Sequence, residues 1–318
     1  MPSFASRVKN ELVHVSGSQV CCKTAELAAL LRMGATISFN RKHDFGINFV
    51  TENAAVARKI LSLFKESSPD ILTEVTVRRS RRLRKHNSYA VRIVPSPEAS
   101  SILRRLGFLE AQSLFDAAYD RRILQKNCCK ISYLRGAFLG GGSVNRPEGE
   151  YHLEFVADNY NFARLLLELC HELYLPAGFT ERKKVFVVYI KESESILELL
   201  GMLGVGEDLL QEFESARNLK EIRSQVNRLV NCETANLQRT INAAVRQVDS
   251  IKTIRECGEF DNLPKLLKLT AEARYDNPEA SLTELAAMMG CGRSALNHRM
   301  RKLELFAQRL RKGDLKSI

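Results

Sequence analysis

The chain has no tryptophan, and aromatic residues make up only 7% of it. Proteins that grip single strands or read RNA loops stack bases on aromatic platforms. Both classes are therefore disfavoured. Also missing is any apolar run of about 18 residues, so no membrane span is expected. Residues 1–12 mix Arg7, Lys9 and Glu11 with single apolar side chains and contain no signal-peptide core, which points to the cytoplasm. None of the eight cysteines lies in a C-x-x-C pair. Four come as the adjacent pairs Cys21-Cys22 and Cys128-Cys129. That spacing supports neither a zinc ribbon nor a dithiol motif, so the cysteines read as small buried hydrophobes and no metal or other cofactor is expected.

What the chain does have is positive charge. Lysine and arginine number 48 against 37 acids, a net charge of +11. Such a balance favours acidic partners, nucleic acid above all. With 318 residues, 45% of them hydrophobic, the chain can build two or three domains with sizeable cores.

The first 200 residues contain an internal repeat. Cys21-Cys22-Lys23 leads into AELAALLRMGATIS, and Cys128-Cys129-Lys130 leads into ISYLRGAFLGGGSV, at an offset of 107 residues. Leu27 aligns with Leu134, Gly34 with Gly141, and Ile37 with Val144. Farther on, Phe49 to Asn53 resembles Phe155 to Asn159, Arg58 falls where Arg164 does, and Ile102 to Gly107 resembles Ile196 to Gly201. Leu27, Leu30 and Leu31 share one helical face, whereas Glu74 to Val77, Tyr89 to Val94 and Val185 to Ile190 read as strands. Small residues Ala25, Ala29, Gly136 and Gly140 allow two helices to pack closely. The fold class expected is α+β: two pseudo-twofold αββαββα halves joined along these helices, followed by an all-α domain. The divisions expected are 1–107, 108–205, a helical connector at 206–256, and a last domain at 257–318.

LAALLRMGAT and LRGAFLGGGS resemble degenerate LAGLIDADG motifs. In homing endonucleases of that kind, the last acid of each motif holds the metal that drives phosphodiester cleavage. Here Gly34 and Gly141 stand at those positions, and the earlier acidic position is Arg32 or Leu139. Metal-assisted hydrolysis needs carboxylate oxygens, and glycine supplies none. The resemblance thus implies the scaffold without its catalytic residues, and no enzyme is expected.

Thr76 to Arg92 carries Arg78, Arg79, Arg81, Arg82, Arg84, Lys85 and Arg92 with no acid, and Arg182, Lys183 and Lys184 occupy the equivalent place in the second half. Such a hairpin could track phosphates, hold a protein or ligand, or simply aid solubility. The stretch from Glu207 to Arg255 has neither proline nor glycine, and Leu237, Ile241, Ala244, Val248 and Ile251 form one apolar seam. Off that seam lie Arg228 and Arg239, which read equally as contacts to a DNA backbone or as the solvated face of a linker.

Near the end of the chain, Pro264 opens a helix with Leu263, Leu266, Leu267, Leu269 and Ala273 on its apolar face. Ser281 and Glu284 form a capping box for a second helix. Gly290-Cys291-Gly292 makes a turn, and a third helix runs from Ser294 to Leu310 with Leu296, Met300, Leu303 and Phe306 or Ala307 inward. Residues 263–290 hold three basic and four acidic side chains, whereas 291–312 hold seven basic and one acidic. The charge switches on where the recognition helix of a helix-turn-helix would enter the major groove. Arg293, Ser294, Asn297, His298 and Arg301 are the candidate readers of base edges, Lys302, Arg309, Arg311 and Lys312 are candidates for phosphates, and Ser281 and Thr283 are further candidate DNA contacts. Blander readings stay open for three of these groups: Ser294 as a simple cap, His298 as a surface histidine, and Arg309 to Lys312 as a basic tail.

NRLVNCETANLQRT, between the two CCK repeats and the helix-turn-helix, closely resembles the WhiA family of bacterial regulators, in order along the whole chain. That resemblance implies a sequence-specific, nucleoid-associated binder of double-stranded DNA with a role in cell division and chromosome segregation, and in sporulation septation among sporulating actinobacteria. Other transcription or division proteins would be its further partners. Transcriptional and chromosome-structural roles both remain open. The rival classes are a metal-dependent nuclease using other carboxylates, such as Glu52 or Asp158, and an RNA- or ligand-binding regulator.

Overall fold

The computed structural model describes residues 2–15, 17, 19–79, 87–109 and 121–312. After a first helix α1 (Phe4–Leu12), the duplicated pattern becomes two copies of one element string. The first is α2 (Val20–Gly34), β1 (Ala35–Phe39), β2 (Phe45–Thr51), α3 (Ala54–Ser67), β3 (Thr73–Arg79), β4 (Asn87–Ile93) and α4 (Pro97–Arg105). The second is α5 (Asn127–Gly141), β5 (Gly142–Val144), β6 (Leu153–Ala157), α6 (Tyr160–Glu172), β7 (Gly178–Arg182), β8 (Val185–Ile190) and α7 (Ser193–Leu203). Each half folds into an antiparallel four-stranded sheet, with orders β1-β2-β4-β3 and β5-β6-β8-β7. The α+β architecture and its αββαββα halves are as expected.

The repeat is physical down to its caps. The Asn53 side chain accepts hydrogen bonds from the N–H groups of Ala55 and Val56 at the start of α3, and Asn159 accepts from Phe162 at the start of α6. Asparagine is among the strongest N-caps, so the matched asparagines start matched helices. Along the strands, alternate side chains turn inward. Ile47 and Phe49 lie beside Ile93 and Val91 in one sheet, and Leu153 and Phe155 lie beside Ile190 and Val188 in the other; all eight are buried.

One alignment shifts. Gly107 follows α4 at φ +75°, and its structural counterpart is Gly204 at φ +97°, which follows α7, rather than Gly201 inside that helix. Buried Ile102, Leu103 and Leu106 then correspond to buried Leu199, Leu200 and Leu203. A slip of three residues nearly preserves helical phase, which is why apolar pattern alone places the repeat one turn early.

Two units emerge, residues 1–221 and 222–318. The 50-residue helix α8 (Glu207–Glu256) takes part in both. In the first unit, its buried Phe213 packs against the rings of Phe4 and Tyr151, and Glu212 pairs with both terminal nitrogens of Arg7 at 2.7 and 2.6 Å. In the second, Ala244, Ile251 and Ile254 are buried. The apolar seam expected along α8 is covered only at that end; Val248 is half-buried, and Leu237 and Ile241 face solvent.

Candidate nucleic-acid interface

The second unit is built around three further helices, α9 (Lys265–Asp276), α10 (Leu282–Met288) and α11 (Arg293–Arg311). Ile251 and Ile254 of α8 join Leu263, Leu267, Ala271, Met300, Leu303, Phe306 and Ala307 in one core. Leu285, Ala286 and Leu296 form a second cluster between α10 and α11. The inward residues of α11 are thus those its 3.6-residue period selects. On α9 the expectation partly fails, because Leu266 and Leu269 are exposed and their places inside are taken by Thr270 and Arg274.

Arg274 is 1% exposed and donates to the Ala280 carbonyl at 2.6 Å. Burial draws its pKa down, though an arginine stays charged. Its guanidinium ties the segment between α9 and α10 to α9, which sets where α10 begins. Arg255 adds a second brace, its guanidinium 4.6 Å from the ring of Phe260 and 4.0 Å from that of Tyr275.

The expected capping box is present: Ser281 Oγ accepts from the Glu284 N–H at 3.2 Å, and Glu284 accepts from the Ser281 N–H at 2.7 Å. Hydrogen bonding from the Ser281 N–H, and then from its side chain, holds the Glu284 carboxyl below the usual carboxylate range. At the other end of α10, Cys291 N–H reaches back to the Ala286 carbonyl at 2.9 Å and Gly290 N–H to the Ala287 carbonyl at 3.1 Å, with Gly290 at φ +60°. This is a Schellman turn, whose left-handed residue is usually glycine. It leads directly into α11, which Gly292 caps; Ser294 lies inside the first turn and is not the cap.

With Leu296, Met300, Leu303, Phe306 and Ala307 inside, α11 exposes Arg293, Ser294, His298, Arg301, Lys302 and Arg309, and Asn297 is half-buried beside them. Thr283 on α10 is exposed and Ser281 half-buried. Arg311 is committed elsewhere: it pairs with Asp249 of α8 at 2.6 Å and donates to Thr253. Its position past the last inward residue made it look like a free tail. Arg228 and Arg239 lie on a wholly exposed part of α8 and bond locally to Ser224 and Asn236.

In the first unit, Arg78 and Arg79 end β3 and are exposed; Arg81, Arg82, Arg84 and Lys85 lie outside the described residues. Arg92 is opposite Glu74 and pairs with it at 3.2 Å, so this pair carries no net charge. The equivalent turn of the second half places Lys183 and Lys184 at φ +47° and +72°. Two consecutive residues in this region form the tight hairpin that Asn-Gly or Gly-Gly usually makes. Lysines there cost backbone energy and hold two cations at the tip of the sheet.

Helices α2 and α5 pack along each other, and no carboxylate replaces the glycines at their ends. A Cβ at Gly141 would sit 2.3 Å from Met33 Cε and 3.0 Å from the Val156 carbonyl, and one at Gly34 would meet the Phe49 ring at 3.3 Å. Glu52 and Asp158 are exposed, each directly before a helix-capping asparagine.

Two residues central to this helix pair were not singled out from the sequence. Glu26 of α2, fully buried, receives Arg135 of α5 through Nε at 3.1 Å and Nη2 at 3.0 Å, with Lys59 Nζ 3.3 Å from its other oxygen. Arg135 also donates to the Leu203 carbonyl and to Ser132. The available signal was a lone charge inside each apolar run, AELAALL and YLRGAFL.

The cysteine pairs are a further surprise. Cys21 and Cys22 sit in the first turn of α2, Cys128 and Cys129 in the first turn of α5, and all four sulfurs lie within 4.8 Å of one another. Among the described residues, no other group of three or more His, Cys, Asp or Glu side chains comes close enough to share an ion. Cys22 and Cys129 are buried, Cys21 is half-buried and Cys128 exposed, so the reading of these as buried hydrophobes holds for only two of them.

Comparison with known proteins follows the same order along the chain. The family model for the WhiA N-terminal LAGLIDADG-like domain matches residues 20–109, that for the WhiA LAGLIDADG-like domain matches 130–223, and that for the WhiA C-terminal HTH domain matches 226–307. A "Probable cell division protein WhiA" from Desulforamulus reducens is 48% identical over 98% of this chain and 97% of its own length. The protein of that name from Bacillus subtilis is 43% identical over 98% of each. The crystal structure of full-length DUF199/WhiA from Thermatoga maritima superposes with a TM-score of 0.56 at 25% identity, covering 97% of this chain and 99% of that one. No helix among the described residues is long and apolar enough to cross a membrane. Matched from end to end by such relatives and by all three family domains, the chain belongs to the WhiA family.

Proposed function

We propose that this protein is a sequence-specific binder of double-stranded DNA that regulates cell division and chromosome segregation, and that its LAGLIDADG-like halves organise DNA without cutting it. The observation that carries the reading is the exposed face of α11. Ser294, His298, Arg301, Lys302 and Arg309 stand opposite the buried Leu296, Met300 and Leu303, directly after a glycine-capped turn. A recognition helix offers its first turns to base edges, and arginine and asparagine are the side chains that pair bidentately with guanine and adenine. The division role is carried over from the relatives' shared name. The absence of cleavage rests on Gly34 and Gly141, since neither supplies a carboxylate to a divalent ion.

Selection of bound duplexes from random sequence, followed by chromatin immunoprecipitation, tests the first part. Enrichment of one motif is expected, and indiscriminate recovery would reduce the protein to a general DNA coat. Incubating the enriched duplex with Mg²⁺ or Mn²⁺ tests the second. Intact DNA is expected, and nicking at a fixed position would establish a nuclease built on other carboxylates.

A further inference from the structure

We propose that Cys21, Cys22, Cys128 and Cys129 form a four-thiolate site for one Zn²⁺ ion that staples the two LAGLIDADG-like halves together. The geometry is the first support. Zinc bound by thiolates sits about 2.3 Å from each sulfur, so the edge of its tetrahedron is about 3.8 Å. Four sulfurs already within 4.8 Å of one another need only small side-chain rotations to reach it. The donor set is the second. Four thiols with no carboxylate or imidazole select a thiophilic ion over Mg²⁺, Ca²⁺ or Mn²⁺.

Symmetry and electrostatics add a third support. Each half contributes the second and third residues of its own helix, and the N-caps of both helices, Gln19 and Lys126, make no side-chain capping bond. Both cysteine pairs therefore lie in the first turn of a helix, where the N-terminus stabilises negative charge. No acid occupies the first turn of either helix, and Lys23, Lys126 and Lys130 flank the cysteines in sequence. Of these, Lys23 pairs with Glu66 and Lys130 with Glu172. The centre, two zinc charges against four thiolates, would carry a net charge of −2 in this setting. Its four protein ligands leave no open position, the mark of a structural rather than a catalytic zinc. Exposed Cys128 marks the side from which an ion would enter. The ligands come from chain positions more than 100 residues apart, so binding energy would become stability of the paired halves.

The test uses the full chain purified under reducing conditions without chelator. Elemental analysis should find one zinc per chain, released when a mercurial titrates the thiols. Replacement by Co²⁺ should give the intense visible absorption of tetrahedral cobalt thiolate. Cys129→Ser should weaken Zn²⁺ binding at least about 100-fold, beyond the 10–100-fold typical of losing a residue behind a ligand. Cys128→Ser, at an exposed position where folding is not at stake, should weaken the thiolate-to-cobalt absorption and shift the tetrahedral bands as one sulfur is replaced by oxygen, with circular dichroism confirming the fold. Cys232→Ser and Cys257→Ser should leave metal content unchanged. Reduced full-length protein that neither carries zinc nor takes up Zn²⁺ or Co²⁺ would overturn the proposal, as would zinc retained undiminished by the Cys128 and Cys129 variants.

Discussion

At the scale of single residues, the pseudo-twofold rests on a few positions with no tolerance. A Cβ at Gly136 would lie 2.2 Å from the Glu26 carbonyl oxygen, so the two helix backbones touch where a side chain would stand. Beside that contact, the buried Glu26–Arg135 pair fixes how α2 and α5 align. A buried ion pair gains little over an apolar replacement, but losing one partner strands the other charge at a cost of about 3–5 kcal/mol. Glu26→Leu should therefore destabilise the first unit by that order, and adding Arg135→Leu should restore most of the loss. Lys59 would stay satisfied, because it donates to the Val15 carbonyl at 2.7 Å. Chemical denaturation of the two single variants and the double variant measures the coupling; simply additive losses would show that the pair does not set the alignment.

At the scale of elements, the helix-turn-helix is a local construction and was legible for that reason. The capping box spans four residues, the Schellman glycine comes just past the C-cap of α10, and the inward side of α11 follows one period. The αββαββα string was legible because it occurs twice, and the pairing of the LAGLIDADG helices because each carries small residues four positions apart, Ala25 and Ala29 in one and Gly136 and Gly140 in the other. What stayed hidden depends on packing from afar. Leu266 and Leu269 fit an apolar face of α9, yet the core lies against its Leu267–Ala271 side, where Ile251 and Ile254 of α8 meet Met300 and Leu303 of α11. The cysteine quartet was invisible because motif spacing is read along the chain, whereas the pseudo-twofold joins residues 107 positions apart. Two variants separate scaffold from reader in the helix-turn-helix. Gly290→Ala meets no atom within 4 Å, so its whole effect is the left-handed backbone, about 1–2 kcal/mol of stability. Arg301→Ala should leave the melting temperature unchanged and weaken binding to the selected duplex by about 1–3 kcal/mol. Equal weakening on random duplex would make Arg301 a phosphate contact instead of a reader.

At the scale of the whole molecule, the net charge of +11 is spread over both units, which raises the question of whether the LAGLIDADG-like unit touches the DNA proposed as the partner of α11. Its sheets do not present an unbroken positive surface, because Arg92 is cancelled by Glu74 and Arg182 lies 3.9 Å from Glu154. Among the described residues of the two hairpins, uncancelled charge lies at the strand ends, in Arg78, Arg79, Lys183 and Lys184. Each phosphate neutralised on duplex DNA steepens the dependence of log affinity on log salt by about 0.9, so the slope counts contacts. Fluorescence anisotropy of the full chain on the selected duplex, repeated across salt concentrations, should give a shallower slope for Arg78→Gln/Arg79→Gln, by up to about 1.8 if both arginines meet phosphates. Base preference should not change, since these contacts carry position rather than sequence. An unchanged slope with unchanged affinity would show that the hairpin stands clear of DNA, and the scaffold's cations would then have to serve another acidic partner.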